Sequence, residues 1–212
     1  MTPADLAARH PSLYHLTLPS AWPSIDRHGL LSTSALLDSA GLDPAARTAI
    51  ERTPRRTAVP LDHPSFGPVV LNDQTPMTRR ALEGCLDDGL TPVDWLALLN
   101  GRVFFWSSEA GLQRLLQARA NRTRPVLVLH LDTLSLAHAY ADSIELSPIN
   151  SGATIRKPAR RGTTTFTPLT ALSFPEWSRL RGKKDTIREV TVLGGVPDIA
   201  RYITARTHHG PV

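Results

Sequence analysis

LYHLTL, residues 13–18, and PSIDRHGLLS, residues 23–32, are separated by four residues, and together they set the architecture. In the first stretch side chains alternate, with Tyr14, Leu16 and Leu18 on one face and His15 and Thr17 on the other, which predicts a strand with one apolar and one polar face. Ser20 then reads as an N-cap, Ala21 to His28 as a short helix, and Gly29 as the residue that ends it in a positive-φ conformation. Leu30, Leu31 and Ser32 bring the chain back as a buried return.

Downstream, Pro44, Pro54, Pro60, Pro64 and Pro68 interrupt the pattern, with a short helix expected over Pro44 to Arg52. Helices follow over Thr78 to Asp87 and Pro92 to Leu99, the second with Thr91 as cap, Pro92 at its first position and Asp94 in its first turn. RVFFW, residues 102–106, is dense in aromatic and β-branched side chains and predicts a strand. A helix from Ser108 to Ala120 carries Leu112, Leu115 and Leu116 at helical spacing, and PVLVLHLDT from Pro125 is the most apolar strand. Ser143 to Leu146 predicts a short strand, Asn150 to Arg161 a polar basic loop, Thr186 to Leu193 the last strand, and Asp198 to Ala205 a closing helix ahead of a loose His208-His209 tail. Helices of very different lengths between the strands do not give the βαβ rhythm of a doubly wound sheet, and a mixed, split sheet fits better.

The chain has 212 residues, 41% hydrophobic and 20% charged, which is apolar enough for a core and predicts one domain over residues 1–212. No stretch approaches the ~18 apolar residues of a membrane span and no basic-then-apolar leader opens the chain, so a cytoplasmic protein without a membrane partner is expected. Cys85, the single cysteine, excludes an internal disulfide and reads as a buried thiol. The net charge of +5 suits a polyanionic partner, although the excess is small.

The phosphate-cradling signatures GxxxxGK[ST] and GxGxxG are missing, as are GxSxG and HExxH, and no metal is expected. In the last strand Ile187, Glu189 and Thr191 share one face and Arg188, Val190 and Val192 the other, so a core on the Val190 side turns Glu189 toward a cleft. Phe105 or Trp106 offers an aromatic face for a ring to stack on. Asn150, Ser151 and Arg156 supply donors of the kind that hold phosphate or ribose.

LYHLT and PSIDRHGLLS, then RVFFWSS, RPVLVLHLD and IREVTVLGGVPDIARYI, occur in this order and resemble ADP-ribosyltransferase-like proteins. The resemblance is strongest to the bacterial DNA ADP-ribosyltransferase toxins of the DarT family and looser to RNA 2′-phosphotransferases; residues 33–100 depart from that pattern. It implies an α+β fold, an ADP-ribosyltransferase-like split mixed β-sheet with flanking helices, and NAD⁺ as substrate. It makes Glu189 the catalytic carboxylate, which stabilises an oxocarbenium-like ribose as nicotinamide leaves. It places His15, Thr17 and Ser32 on the nucleotide and makes Arg55 or Arg56 the counterpart of an arginine that the toxins use near their acceptor. The acceptor class it implies is a nucleic-acid base, DNA or RNA, and the partner class an antitoxin. Two other functions stay open on the residues alone: an NAD⁺ glycohydrolase, and a catalytically silent module that binds nucleotide or nucleic acid.

Overall fold

The computed structural model describes residues 1–74, 77–155, 157–182 and 187–210. In chain order the helices are α1 (Pro3–Arg9), α2 (Trp22–His28), α3 (Thr33–Ser39), α4 (Pro44–Glu51), α5 (Arg79–Glu83), α6 (Pro92–Asn100), α7 (Glu109–Leu116), α8 (Arg119–Arg122), α9 (Thr133–Ala139) and α10 (Phe174–Arg181). The strands are β1 (Ser12–Thr17), β2 (Leu30–Leu31), β3 (Val59–His63), β4 (Gly67–Leu71), β5 (Arg102–Trp106), β6 (Val126–Asp132), β7 (Ile144–Ser147), β8 (Thr167–Pro168), β9 (Glu189–Leu193), β10 (Gly195–Val196) and β11 (Ile203–His209).

Local chemistry accounts for most boundaries. Thr91 and Asp94 exchange side-chain and backbone hydrogen bonds in a capping box at the start of α6, with Pro92 where its missing N–H is harmless. Asp43 accepts the Ala45 and Ala46 N–H groups at 2.9 and 3.0 Å ahead of α4. Gly29 ends α2 at φ +86, as its sequence position predicts. Ser20, expected to cap that helix, instead lies in a 3₁₀ turn over Pro19–Ala21, and the helix starts at Trp22 without a side-chain cap.

Seven strands form one sheet in the order β11-β6-β1-β5-β9-β7-β8, with helices packed on it, so the fold is α+β. Among the described residues every pairing in this sheet is antiparallel, which corrects the expectation of a mixed sheet. Its central joint is thin. β1 pairs with β6 at six positions from Ser12↔Asp132 to Thr17↔Leu127, and β5 pairs with β9 at five, but β1 and β5 meet only at Tyr14↔Trp106. Past that point the two strands part.

Directly opposed residues share a face, so the register sorts the side chains. Val103 and Phe105 on β5 lie with Val190 and Val192 on β9 and with Ile144 and Leu146 on β7, and all six belong to the main core that Leu6, Leu136 and Trp177 cover from α1, α9 and α10. The other face carries Phe104, Trp106, Glu189, Thr191 and Glu145, and a second core of Met77, Leu82, Trp95, Leu96, Leu99 and Phe166 packs near it. β1 corrects its expected polarity. Leu13 is in the main core and Thr17 is buried, whereas Tyr14 and Leu16 are only half-buried.

Two further corrections concern ends. The closing helix expected over Asp198 to Ala205 is a 3₁₀ turn, Ile199–Tyr202, followed by β11, which pairs with β6 and holds His208 and His209 opposite Leu127 and Val126 rather than in a loose tail. α7 stops at Leu116, well short of Ala120, and Leu115 is half-buried rather than core. The expected start of the last strand at Thr186 lies outside the described residues, and β9 begins at Glu189. No described helix is long and apolar enough to cross a membrane.

The α2 exit depends on one glycine. A Cβ on Gly29 would lie 2.3 Å from Pro197 Cα, whereas one on Gly41, also at positive φ, would meet nothing within 4 Å. Gly41→Ala should therefore carry only the conformational penalty of ~1–2 kcal/mol. Gly29→Ala should exceed it clearly, because backbone must also move. Urea titrations of the two variants read the difference.

Candidate functional site

The parting of β1 from β5 opens a cleft of about 420 Å³, within the roughly 300–1,000 Å³ typical of small-molecule sites. Since Tyr14 and Trp106 share a face, His15 and Thr17 lie on the opposite face of the sheet from Trp106 and Glu189, yet all four line the cleft. The cleft thus reaches through the sheet. The α2–β2 return, the β3–β4 hairpin with Phe66 and Val69, and the Asn150–Ala153 loop complete its walls.

His15 stands where the ladder ends. Its Nδ1 lies 2.9 Å from the Phe104 carbonyl oxygen, two residues along β5 from the one β1–β5 register pair. A carbonyl only accepts, so Nδ1 carries the proton and Nε2 is the acceptor of a neutral ring. Burial pushes the His15 pKa below the ordinary histidine value, against the Phe104 bond, and this preserves the neutral form. Thr17 follows on the same face, buried and lining the cleft.

Glu189 lies where β9 begins, opposite Trp106 on β5 and Ser147 on β7, and is 4% exposed. The Ser151 N–H donates to its carboxylate, 3.3 Å from Oε1 and 3.1 Å from Oε2. Burial raises its pKa to about 7, with hydrogen bonds from Ser151 and the charges of Arg161 and Arg188 pulling the other way. Among the described residues no cation lies within ion-pair distance of it. The cleft's other charged groups are tied up. Arg102 pairs with Glu145 at 2.7 Å, which also occupies that second carboxylate, and Arg124 pairs with Asp73 at 3.0 Å.

The remaining expectations divide. Trp106 lines the cleft, with its indole packed against α7 where a Cβ on Gly111 would come within 3.0 Å of the ring. Phe105 is a correction: it is 0% exposed in the main core, on the opposite face from Trp106, and has no face to offer a ligand. Asn150 lines the cleft; Ser151 is buried behind it and serves Glu189 through its backbone. Ser32 lines the cleft, but its hydroxyl caps α3 by accepting the Ala35 N–H at 3.1 Å. Arg55 forms part of the wall, with its guanidinium donating to Asn72 O, Ile50 O, Asn100 Oδ1 and Thr33 Oγ1. Burial lowers its pKa to about 10, and the fan of bonds makes it a strut between segments. Arg56 is exposed, donates to Met77 O, and lies away from the cleft. Arg156 lies outside the described residues. Cys85 is buried in the turn after α5 rather than in a helix.

Sequence reasoning missed two residues. Arg161, 2% exposed, supports Glu189 from behind, and Asn100 anchors Arg55; neither has a periodicity that sets it apart from its neighbours.

Glu189 also has a thermodynamic signature. Its folded pKa of about 7 lies above the ordinary 4.5, so the folded state favours the proton: stability is fullest below about pH 4.5 and falls as pH rises through 7. Glu189→Gln removes the charge. It should be more stable than the parent by ~3 kcal/mol at pH 8, with the difference vanishing toward pH 4. Urea titrations across that range read it, and a constant difference would mean that the carboxylate does not titrate in this way.

Residues 11–203 match a family described as a family of unknown function (DUF7002). No curated protein matches the chain. The match covers most of the chain, which therefore belongs to the DUF7002 family.

Proposed function

We propose that this member of the DUF7002 family is an NAD⁺-dependent mono-ADP-ribosyltransferase, which cleaves the nicotinamide–ribose bond and transfers ADP-ribose to an acceptor, with a nucleic-acid base as the candidate acceptor class. One observation carries the reading: Glu189, a buried carboxylate with no contacting cation among the described residues, lines a cleft beside the aromatic Trp106. Nicotinamide in NAD⁺ is a cationic ring. An anion and an indole face are the two features that favour such a ring in a dry site.

In the reaction the bond from ribose C1′ to the nicotinamide nitrogen breaks, and its electron pair leaves with the now neutral nicotinamide. Positive charge develops on the ribose, and the Glu189 carboxylate stabilises it where little water competes. The acceptor's nucleophile forms the new bond to C1′ and gives up its proton. The neutral His15 ring, with Nε2 as acceptor, suits a ribose hydroxyl, and Thr17 and Asn150 add polar contacts along the wall.

The decisive experiment incubates the purified protein with NAD⁺ alone and then with DNA, RNA or protein, reading nicotinamide release and adduct mass. Free ADP-ribose as the sole product would make water the acceptor and the protein a glycohydrolase; no nicotinamide release with any acceptor would favour the silent binding module. Glu189→Gln should weaken NAD⁺ binding only by the attraction it loses to the cationic ring, while turnover falls further, ~10²–10³-fold, the size seen when one electrostatic stabiliser is removed. His15→Ala should weaken NAD⁺ binding with the fold intact, as calorimetry and circular dichroism will show.

The pH dependence follows from the same carboxylate. kcat/KM reports the free enzyme, so it should fall about tenfold per unit as pH drops below the Glu189 pKa of about 7. In kcat the midpoint should lie lower, because a cationic ring in the cleft favours the ionised form. Midpoints that do not move between the two profiles would sink the placement of nicotinamide beside Glu189.

A further inference from the structure

Behind Glu189 lies a second charge. Arg161 sits in the segment before β8 and is 2% exposed, among the largest fully buried side chains of the protein. The turn after α5 clamps its backbone: its N–H donates to Cys85 O at 2.9 Å, and Asp87 N–H donates to its carbonyl at 2.8 Å. Its side chain donates from Nε to Ala159 O at 3.0 Å and from Nη1 to Ser151 O at 2.9 Å, and the guanidinium lies 5.8 Å from the Trp95 ring centre. Among the described residues it forms no ion pair. A guanidinium does not give up its proton, and a buried unpaired cation is expensive. Such a group needs a nearby negative charge, and Ser151 connects it to one: this residue accepts from Arg161 through its carbonyl and donates to Glu189 through its N–H.

We propose that Arg161 is a positioning residue for Glu189, pinning Ser151 so that its N–H faces the carboxylate and supplying a buried positive charge that favours the ionised form against burial. The inference rests on the catalytic role proposed for Glu189 only for its functional consequence; the electrostatic coupling stands without it. The other charged or titratable groups near this pair are Arg188, which precedes Glu189, then Cys85, Asp87 and Asp88 in the turn against Arg161, and Arg160, which pairs with Asp87; the neutral His15 lies on the cleft wall. Arg161 is distinguished from Arg188 by a hydrogen-bonded path to the carboxylate that runs through a single residue. Burial holds the Arg161 pKa below the ordinary arginine value, with Cys85 and Glu189 opposing that effect.

The test is a carbon-13 NMR titration of the Glu189 side-chain carboxyl in the whole protein without NAD⁺, the signal being assigned by its loss in Glu189→Gln. Arg161→Met should raise the Glu189 midpoint by about one pH unit or more, and Arg161→Lys, which restores charge, should bring it back most of the way. kcat/KM for nicotinamide release below that midpoint should drop about tenfold for each unit of rise. A folded Arg161→Met protein with an unchanged Glu189 midpoint overturns the proposal. If Arg161→Met does not fold, the parent decides: the Ser151 amide and Arg161 Nε–H signals should shift with the Glu189 midpoint and lose that titration in Glu189→Gln. Signals that stay flat overturn the coupling. A coupled titration with no nicotinamide release in any variant would instead uphold Arg161 and refute the transferase reading.

Discussion

Everything in this molecule turns on the place where β1 leaves β5. Adjacent antiparallel strands ordinarily keep exchanging hydrogen bonds, and a buried carbonyl without a partner is costly. Here the two strands share one pair, Tyr14↔Trp106, and the next available carbonyl, Phe104, is taken by the imidazole of His15. A side chain has replaced a rung of the ladder. The replacement is tolerated because the ring is neutral, and burial favours that form. Without the gap the sheet would close, and His15 and Glu189, which point to opposite faces, would never border the same space.

The rest of the site serves that opening. The halves on either side are held firmly, β6 and β11 against β1, and β9 and β7 against β5, so a thin joint does not make a loose fold. The Val103–Phe105 and Val190–Val192 faces lock one side into the main core, which frees the alternate positions for chemistry. Arg55, with its bonds to Asn72, Ile50, Asn100 and Thr33, braces the wall that the region between β2 and β5 contributes.

Legibility in the sequence follows burial. RVFFW, VLVLHLD and EVTVL read correctly as strands because core packing writes alternation or apolar density into them, and the face assigned to Glu189 followed from Val190 and Val192. Thr91-Pro92 marked a helix start through capping chemistry, while the caps Asp43 and Thr78 stand at the starts of helices read from position and pattern alone. β11 reads from sequence as a helix end to Ala205 and then a loose tail, since ITARTHH is mostly exposed and takes its conformation from the β6 ladder, not from its own pattern. Phe105 and Trp106 looked equivalent as aromatic neighbours, and only the register separates core from cleft. Arg161 was invisible for another reason: NSGATIRKPARR has no period, and which of its arginines is buried depends on contacts with the distant turn at Cys85–Asp87.

A cleft that passes through a sheet differs from one that lies on its surface. Whatever fills the gap between β1 and β5 touches two halves of the sheet that share one strand pair at this seam and a common core on one face, and so it acts as a splint as well as a guest. Its binding free energy becomes cohesion between those halves, and the folded state gains RT ln(1 + [L]/Kd). Ligand supply and mechanical integrity are then one variable. Saturating ligand then stabilises the folded state, seam included, without any new protein–protein contact.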